Sequence, residues 1–262
     1  NFKKLIKIAL SLLVTLSGVT SLFYLIINKG EVKETFWKVN QSLLNKIRSK
    51  KTGSDEFWAR EILNGGYILY FRHAERDKWT DVYMFDALES SSQNKSNDVT
   101  GRRFAENDYF EDAVCLNKRG KIQAQGMKEI IKFSKLPIGN IISSPSCRAR
   151  QTAELVFGKY DNLNKALIHK GTFLENENER KNFLKDYLTN LQIKKGTNTV
   201  ITAHNSVLDN DDIFDKVDSK LKLRLGEGGF FIISNRDKKL ELKHTFNKFS
   251  SFSKTFFPRV FE

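Results

Sequence analysis

The chain has 262 residues, of which 40% are hydrophobic and three are proline, and this composition excludes a wholly disordered protein. Its length suits one large α/β domain or two small ones. The formal net charge of +13 favours anionic partners such as phosphorylated molecules or lipid head groups. The sequence has no zinc-finger spacing, RNA-binding aromatic motif or basic helix, so we expect no nucleic-acid partner.

An uncharged segment near the N-terminus predicts a transmembrane helix within residues 1–30. Lys3, Lys4 and Lys7 precede 20 uncharged residues at 8–27, and a helix of that length spans about 30 Å, the thickness of a bilayer's hydrocarbon core. The run exceeds the apolar region of a secretory signal and lacks a clear small-x-small cleavage site, so we favour an uncleaved anchor. A short basic head is typical of a signal-anchor. We therefore expect the rest of the chain outside the cytoplasm, in the periplasm or at the cell surface.

Residues 31–64 predict a juxtamembrane helical segment. Four apolar residues are spaced for one helical face: Phe36, Val39, Leu43 and Ile47. A polar stretch ends this helix, and Ser54 or Asp55 is placed to cap a second short helix. The main domain is then expected at residues 65–262.

The first strand of that domain ends in a group of charged residues. Residues 67–71 are a continuous apolar and aromatic run, as expected for a strand buried on both faces of a parallel sheet. Arg72 and His73 follow it directly, and Glu75 and Arg76 lie just beyond them. Ligands of open α/β sheets bind beyond the carboxyl ends of the strands, so we expect the chemistry here. The long polar stretch at about 77–114 is interpreted as an insertion, either a lid over the site or a surface excursion.

Strands and helices alternate along the remaining sequence. Three helices are predicted: one that begins after the N-cap Asn117, one at 147–157 and one at 176–191. Strands are predicted at 139–143, 166–169, 197–204, 228–234 and 240–244. This alternation predicts an α/β fold, a three-layer α/β/α sandwich with a mainly parallel central sheet, in addition to the N-terminal transmembrane helix.

Four pieces of sequence lie at or just beyond the carboxyl ends of the predicted strands: Arg72-His73, Arg148, Glu175 and His204. Guanidinium groups offer paired donors that match phosphate oxygens. A histidine held neutral by a hydrogen bond to one ring nitrogen can attack phosphorus through the other. If the sheet brings these pieces together, they form a pocket for a phosphoryl group.

The motifs that contain these residues resemble those of the histidine phosphatase superfamily, which includes phosphoglycerate mutases, acid phosphatases and phytases. The matching pieces are RHAER at 72–76, LNKRG at 116–120, SSPSCRARQTA at 143–153, LE at 174–175 and AHN at 203–205. They occur in the family's order over most of the chain after the anchor. The SSPSCRARQTA piece is the most specific.

The resemblance implies a role for each site residue. His73 would be the nucleophile that becomes phosphohistidine, and Arg72, Arg148 and His204 would bind the phosphoryl group. Arg76 matches an additional arginine of the acid phosphatase branch, and Glu175 would be the proton donor to the leaving group. No cofactor or metal is implied.

The chain departs from the family pattern at two positions. Ala74 replaces the usual glycine after the nucleophile, and Asn205 replaces the aspartate that the acid phosphatase branch has after the second histidine. Because an amide cannot donate a catalytic proton, that role falls to Glu175, or else to Glu75 or Asp77. Cys115 and Cys147 would lie near the rim of the site, as a disulfide or as two small buried residues.

These observations predict a membrane-anchored phosphomonoesterase that acts on a phosphorylated substrate through a phosphohistidine. A phosphorylated sugar, lipid, glycan or protein would each suit the site. Two alternatives are a phosphomutase of the same family and a catalytically silent domain that binds a phosphorylated ligand.

Overall fold

The computed structural model describes residues 54–78, 114–168, 177–208, 213–218, 221 and 223–257. The chain divides between residues 52 and 53 into two units, and all described residues belong to the second. The predicted anchor, most of the predicted insertion and Glu175 lie outside the described residues. Within the described ranges, none of the helices has the length and apolar character needed to cross a bilayer.

A seven-stranded sheet forms the centre of the described part of the chain. Its strands in chain order are β1 Ile68–Arg72, β2 Ile138–Ser143, β3 Asn162–Leu163, β4 Asn198–Ala203, β5 Lys216–Val217, β6 Phe230–Ser234 and β7 Glu241–Phe246. Their order in the sheet is β3-β2-β4-β1-β6-β7-β5. Four of the six strand pairings are parallel, and β6 is antiparallel to both β1 and β7. The predicted α/β class with a mainly parallel sheet is therefore confirmed.

The described ranges contain five α-helices: α1 Asp55–Glu61, α2 Lys118–Ser134, α3 Cys147–Phe157, α4 Glu177–Asn190 and α5 Phe249–Lys254. The predicted caps are confirmed at the start of one helix and at the end of another. The Asn117 side chain accepts a hydrogen bond from Gly120 N at the start of α2, and Gly158, with a φ of 85°, ends α3. Such a positive φ favours glycine.

The prediction of a strand at 166–169 is wrong. Residues Lys165–Leu167 form a 3₁₀ turn, and the strand in this region is the shorter β3 at Asn162–Leu163. The Asn164 side chain accepts a hydrogen bond from Ala166 N at 3.0 Å. This local bond closes a turn where the apolar run alone suggested an extended chain.

Helices cover both faces of the sheet. On one face, Leu69 and Phe71 of β1 share a core with α2, α3 and α5. On the other face, Ile68 and Tyr70 share a second core that includes Leu184 and Leu188 of α4. Because side chains alternate along a strand, a run that is apolar throughout supplies both cores.

Helix α1 precedes the predicted domain boundary at residue 65 but packs into the domain. Ser54 caps it by accepting a hydrogen bond from Phe57 N at 3.2 Å. Ala59 is fully buried in the core. Asp55 Oδ1 lies 2.9 Å from Nε2 of His244 on β7. The packed body therefore extends at least to residue 54.

The parallel pairing of β1 with β4 positions the candidate site. Arg72 lies opposite Ala203 in the register of the two strands, and His73 N donates to Ala203 O at 3.0 Å. Strand β2 borders β4 on its other side. The residues that follow β1, β2 and β4 consequently meet at one edge of the sheet.

Phe230 provides a test of this core. Its ring is fully buried and lies 4.5 Å from that of Phe71 and 4.8 Å from that of Phe246, centroid to centroid. Phe230→Ala should therefore lower the free energy of unfolding by about 3–5 kcal/mol, measured by denaturant titration. Ile122→Ala is the matched control, because Ile122 is 69% exposed and its loss should cost less than about 0.5 kcal/mol. Equal losses for the two variants would contradict the assigned core.

Candidate active site

The two predicted site histidines lie side by side. The ring centroids of His73 and His204 are 5.3 Å apart, and the two residues are 3% and 1% exposed. His73 follows β1 and His204 follows β4, so the parallel pairing of these strands produces the contact. The rings are close enough to contact one tetrahedral anion.

His73 is held in one tautomer. Its Nδ1 lies 2.7 Å from Ala74 O, and because a carbonyl oxygen can only accept, Nδ1 carries the proton. The neutral ring then presents an unprotonated Nε2. Ala74 is itself anchored, since its N–H donates to Thr152 Oγ1 at 3.0 Å. Alanine is thus accommodated where the family pattern has glycine.

The electrostatic surroundings keep His73 neutral. Burial first, and then the positive charges of Arg148 and Arg72, hold the pKa of His73 well below its usual value of 6.5. The hydrogen bond to Ala74 O opposes this shift, and Arg76 adds a smaller effect in the same direction as the other arginines. All three arginines predicted for the site therefore lower the pKa of His73.

His204 contacts two serines that the sequence analysis did not assign to the site. Its Nε2 lies 3.3 Å from Ser144 Oγ and 3.1 Å from Ser146 Oγ. Both serines follow β2, whose end adjoins that of β4. Their position after a buried strand could have indicated them. The backbone of His204 is also fixed, because Tyr70 Oη donates to His204 O at 2.8 Å.

Arg148 lies in the first turn of α3 and is 1% exposed. Its Nη1 donates to Val114 O at 3.4 Å. The preceding residue, Cys147, forms a disulfide with Cys115, with a Cα–Cα distance of 4.9 Å. Of the two alternatives for the cysteines, the structure contains the disulfide. The disulfide links Cys115 to α3, the helix that carries Arg148. Cys115 directly follows Val114, whose carbonyl accepts the hydrogen bond from Arg148.

Arg72 contacts a loop far along the chain. Its Nη1 donates to Leu225 O at 2.8 Å, and its Nη2 lies 3.2 Å from Glu227 Oε1. No motif indicated Glu227, which is separated from Arg72 by 155 residues. Burial lowers the pKa of Arg72, while the charge of Glu227 opposes that shift. Glu227 thus compensates part of the positive charge of the site.

Glu75 and Asp77, the two alternative proton donors, bind the start of α2. Glu75 Oε1 lies 2.5 Å from Arg119 Nη2, and Asp77 Oδ1 accepts from Asn117 Nδ2 at 2.9 Å. Gly120 explains the glycine of the LNKRG motif, because a Cβ there would lie 1.9 Å from Glu75 O. These contacts give the two carboxylates a structural role at the rim.

The remaining predicted residues are placed as follows. Arg76 Nη1 donates to Asp77 O at 2.6 Å, beside the rim of the site. Glu175 lies outside the described residues. In the described part of the chain, no three His, Cys, Asp or Glu side chains are grouped as a metal site would require.

The described site combines two buried histidines with arginines that lower the pKa of one of them. A phosphoryl dianion would be neutralised by the guanidinium groups and would lie next to an unprotonated imidazole nitrogen. The arrangement is suited to binding a phosphate ester and to attack on its phosphorus atom.

No family model matches this chain, and neither does any curated protein. Solved structures similar to it include the protein histidine phosphatase SixA complexed with tungstate, at 15% identity over 69% of this chain and 96% of that one, with a TM-score of 0.42. A phosphoserine phosphatase from Entamoeba histolytica in complex with 3-phosphoglyceric acid matches at 17% identity over 68% and 95%, with a TM-score of 0.40. The protein TTHB049 from Thermus thermophilus matches at 18% identity over 66% and 95%, with a TM-score of 0.38. The solved structures that this chain resembles therefore include phosphatases.

The depressed pKa of His73 predicts a pH-dependent contribution to stability. Below about pH 6.5 an unfolded chain takes up a proton at His73 that the folded protein does not, so the free energy of unfolding should fall as the pH decreases. Relative to His73→Asn, the wild type should lose up to about 1.4 kcal/mol for each pH unit below 6.5. Denaturant titrations of both proteins between about pH 5 and 7.5 measure this difference. A difference that stays constant over this range would contradict the assignment.

Proposed function

We propose that this chain is a phosphatase of the histidine phosphatase superfamily that hydrolyses a phosphate monoester through a phosphohistidine at His73. The observation that supports this proposal best is the pairing of buried His73 and His204 at 5.3 Å. The proton that Nδ1 of His73 donates to Ala74 O makes Nε2 the nucleophilic atom. Arg72 and Arg148 supply the charge that a phosphoryl group requires.

The first step forms the phosphoenzyme. Nε2 of neutral His73 attacks phosphorus, and the bond from phosphorus to the ester oxygen breaks. We propose that the Glu175 carboxyl group gives its proton to the departing oxygen, so that the leaving group departs as an alcohol. The phosphorylated imidazole gains positive charge, and its Nδ1–H stays bonded to Ala74 O, which stabilises that charge.

The second step regenerates the enzyme. A water molecule attacks the phosphorus of phosphohistidine while the Glu175 carboxylate takes one of its protons. The bond from phosphorus to Nε2 breaks, its electron pair returns to His73, and orthophosphate leaves. The low pKa of His73 supports both steps, because a nitrogen that binds protons weakly is available to attack and is a better leaving group.

The arginines and His204 would stabilise charge on the transferred group. Phosphoryl transfer spreads negative charge over the equatorial oxygens, and positioned cations there lower the barrier without taking part in covalent chemistry. Arg72 and Arg148 are proposed to bind these oxygens, with Arg76 at the rim. His204, whose Nε2 is set between Ser144 and Ser146, is proposed to donate a further hydrogen bond from its ring.

Replacing the nucleophile tests the proposal. His73→Ala should lower kcat for a generic phosphate ester by at least about a thousandfold and abolish the acid-labile phosphoenzyme seen after rapid quenching with labelled substrate. His244→Ala is the control, because it removes another buried histidine, one that contacts Asp55, and should retain the phosphoenzyme. Unchanged hydrolysis by His73→Ala rejects the proposal.

Two other results would favour the alternative functions. Orthophosphate binding without a phosphoenzyme in the wild type would favour a silent binding domain, and phosphoryl transfer to a second phosphorylated molecule would favour a mutase.

The proposed proton donor gives a second prediction. Glu175→Gln should slow the hydrolysis of alkyl phosphates by about 10²–10⁴-fold but leave p-nitrophenyl phosphate much less affected, because an activated leaving group needs little protonation. Glu75→Gln and Asp77→Asn are matched controls that should not show this selectivity. If either control shows it instead, that residue is the donor and the role of Glu175 is rejected. Comparing kcat for the two substrates measures the effect.

We also propose that residues 8–27 anchor the protein in a membrane with the phosphatase domain outside the cytoplasm. The Cys115–Cys147 disulfide supports this proposal, since structural disulfides persist mainly in oxidising compartments. In cells quenched with acid, both cysteines should react with a maleimide only after reduction, which tests the oxidising compartment. The protein should also stay in the membrane pellet after alkaline carbonate treatment, which tests the anchor. Free thiols in the quenched sample, or release by carbonate, would overturn the proposal.

A further inference from the structure

Asn205, the residue after His204, binds the backbone of Leu225, which Arg72 also contacts. Its Nδ2 donates to Leu225 O at 2.7 Å, and its Oδ1 accepts from Leu225 N at 2.8 Å. The Leu225 N–H can only donate and its carbonyl can only accept, so both ends of the carboxamide are used and its orientation is determined.

The same Leu225 oxygen also binds Arg72. Nη1 of Arg72 donates to it at 2.8 Å, so one carbonyl accepts from both Asn205 and the proposed phosphate-binding arginine. Two residues further on, Glu227 contacts the other terminal nitrogen of Arg72 at 3.2 Å. A guanidinium has five N–H donors, so these two bonds orient its plane without exhausting its capacity to bind an anion.

The rest of this loop is held by contacts on its other sides. Gly228 N donates to His73 O at 3.1 Å, and Gln123 Nε2 donates to Glu227 O at 2.9 Å. Gly226 N donates to Asn247 O at 2.8 Å. Asn205 is the residue that secures the Leu225 end of the loop, where the carbonyl faces Arg72.

We propose that Asn205 is a positioning residue that orients Arg72 toward the phosphoryl group through the Leu225 carbonyl. This inference rests on the proposed function of the site. It explains why an amide, rather than a carboxylate, suits this position. An aspartate could still accept from Leu225 N, but it would place a second oxygen against the Leu225 carbonyl and could not donate to it.

The test is orthophosphate affinity, measured by calorimetry on the full-length protein in detergent. Asn205→Ala should weaken orthophosphate binding about tenfold, since a charged group loses its orienting partner. Asn205→Asp should weaken it at least as much. In an Arg72→Ala background, Asn205→Ala should cause no further loss, because the residue acts through Arg72.

Asn235→Ala is the matched control. Nδ2 of Asn235 donates to Leu188 O and Leu191 O at 2.9 and 2.8 Å, so it too binds backbone carbonyls, but at the end of α4 and away from the site. This variant should unfold at a lower temperature and keep its orthophosphate affinity. Steady-state hydrolysis of p-nitrophenyl phosphate by each variant gives kcat and KM, and Asn205→Ala should raise KM more than Asn235→Ala does.

Two results would overturn the inference. Full orthophosphate affinity in Asn205→Ala would show that Arg72 is oriented without it. An equal loss in the wild-type and Arg72→Ala backgrounds would show that Asn205 acts on the site independently of Arg72. Absence of orthophosphate binding by the wild type itself would instead reject the proposed function, and the inference with it, so the two failures are distinguishable.

Discussion

The parallel pairing of β1 with β4 is the constraint on which the candidate site depends. Arg72 and Ala203 lie opposite each other at the ends of these strands, so the next residues, His73 and His204, are forced together although they lie far apart in the sequence. Both strands are buried, and a shift of one residue in their register would turn apolar side chains from one core to the other. The two hydrophobic cores therefore fix the alignment of the two imidazoles.

The second constraint is electrostatic. Arg148 is almost fully buried and Arg72 is partly buried, and burial of cations requires compensating polar contacts. Backbone carbonyls supply two of these contacts, at Val114 for Arg148 and at Leu225 for Arg72. Glu227 supplies one negative charge. A phosphoryl dianion bound here would bring further negative charge to the guanidinium groups. His73 stays neutral because burial disfavours its charged form and because the positive charges of Arg148 and Arg72 repel an added proton, and both effects lower its pKa.

Sequence motifs predicted the main features of this site for identifiable reasons. A continuous apolar run followed by Arg-His indicated a buried strand with chemistry at its end, and Asn117 and Gly158 indicated a helix start and a helix end through local backbone bonds. These signals depend on residues that are close in sequence. The turn at Lys165–Leu167 was missed because a side-chain bond from Asn164 overrode the apolar pattern.

The amino-acid sequence alone determined the mainly parallel α/β class, the strand ends that bear Arg72, His73 and His204, and the helix that bears Arg148, because periodicity and capping are local properties. The tertiary structure decided what each of these groups contacts. The hydroxyl groups of Ser144 and Ser146 at His204, the carboxylate of Glu227 at Arg72 and the amide of Asn205 at Leu225 all join segments from different strands or loops. Such contacts are set by how the sheet orders its strands, and no pattern within a single segment encodes that order.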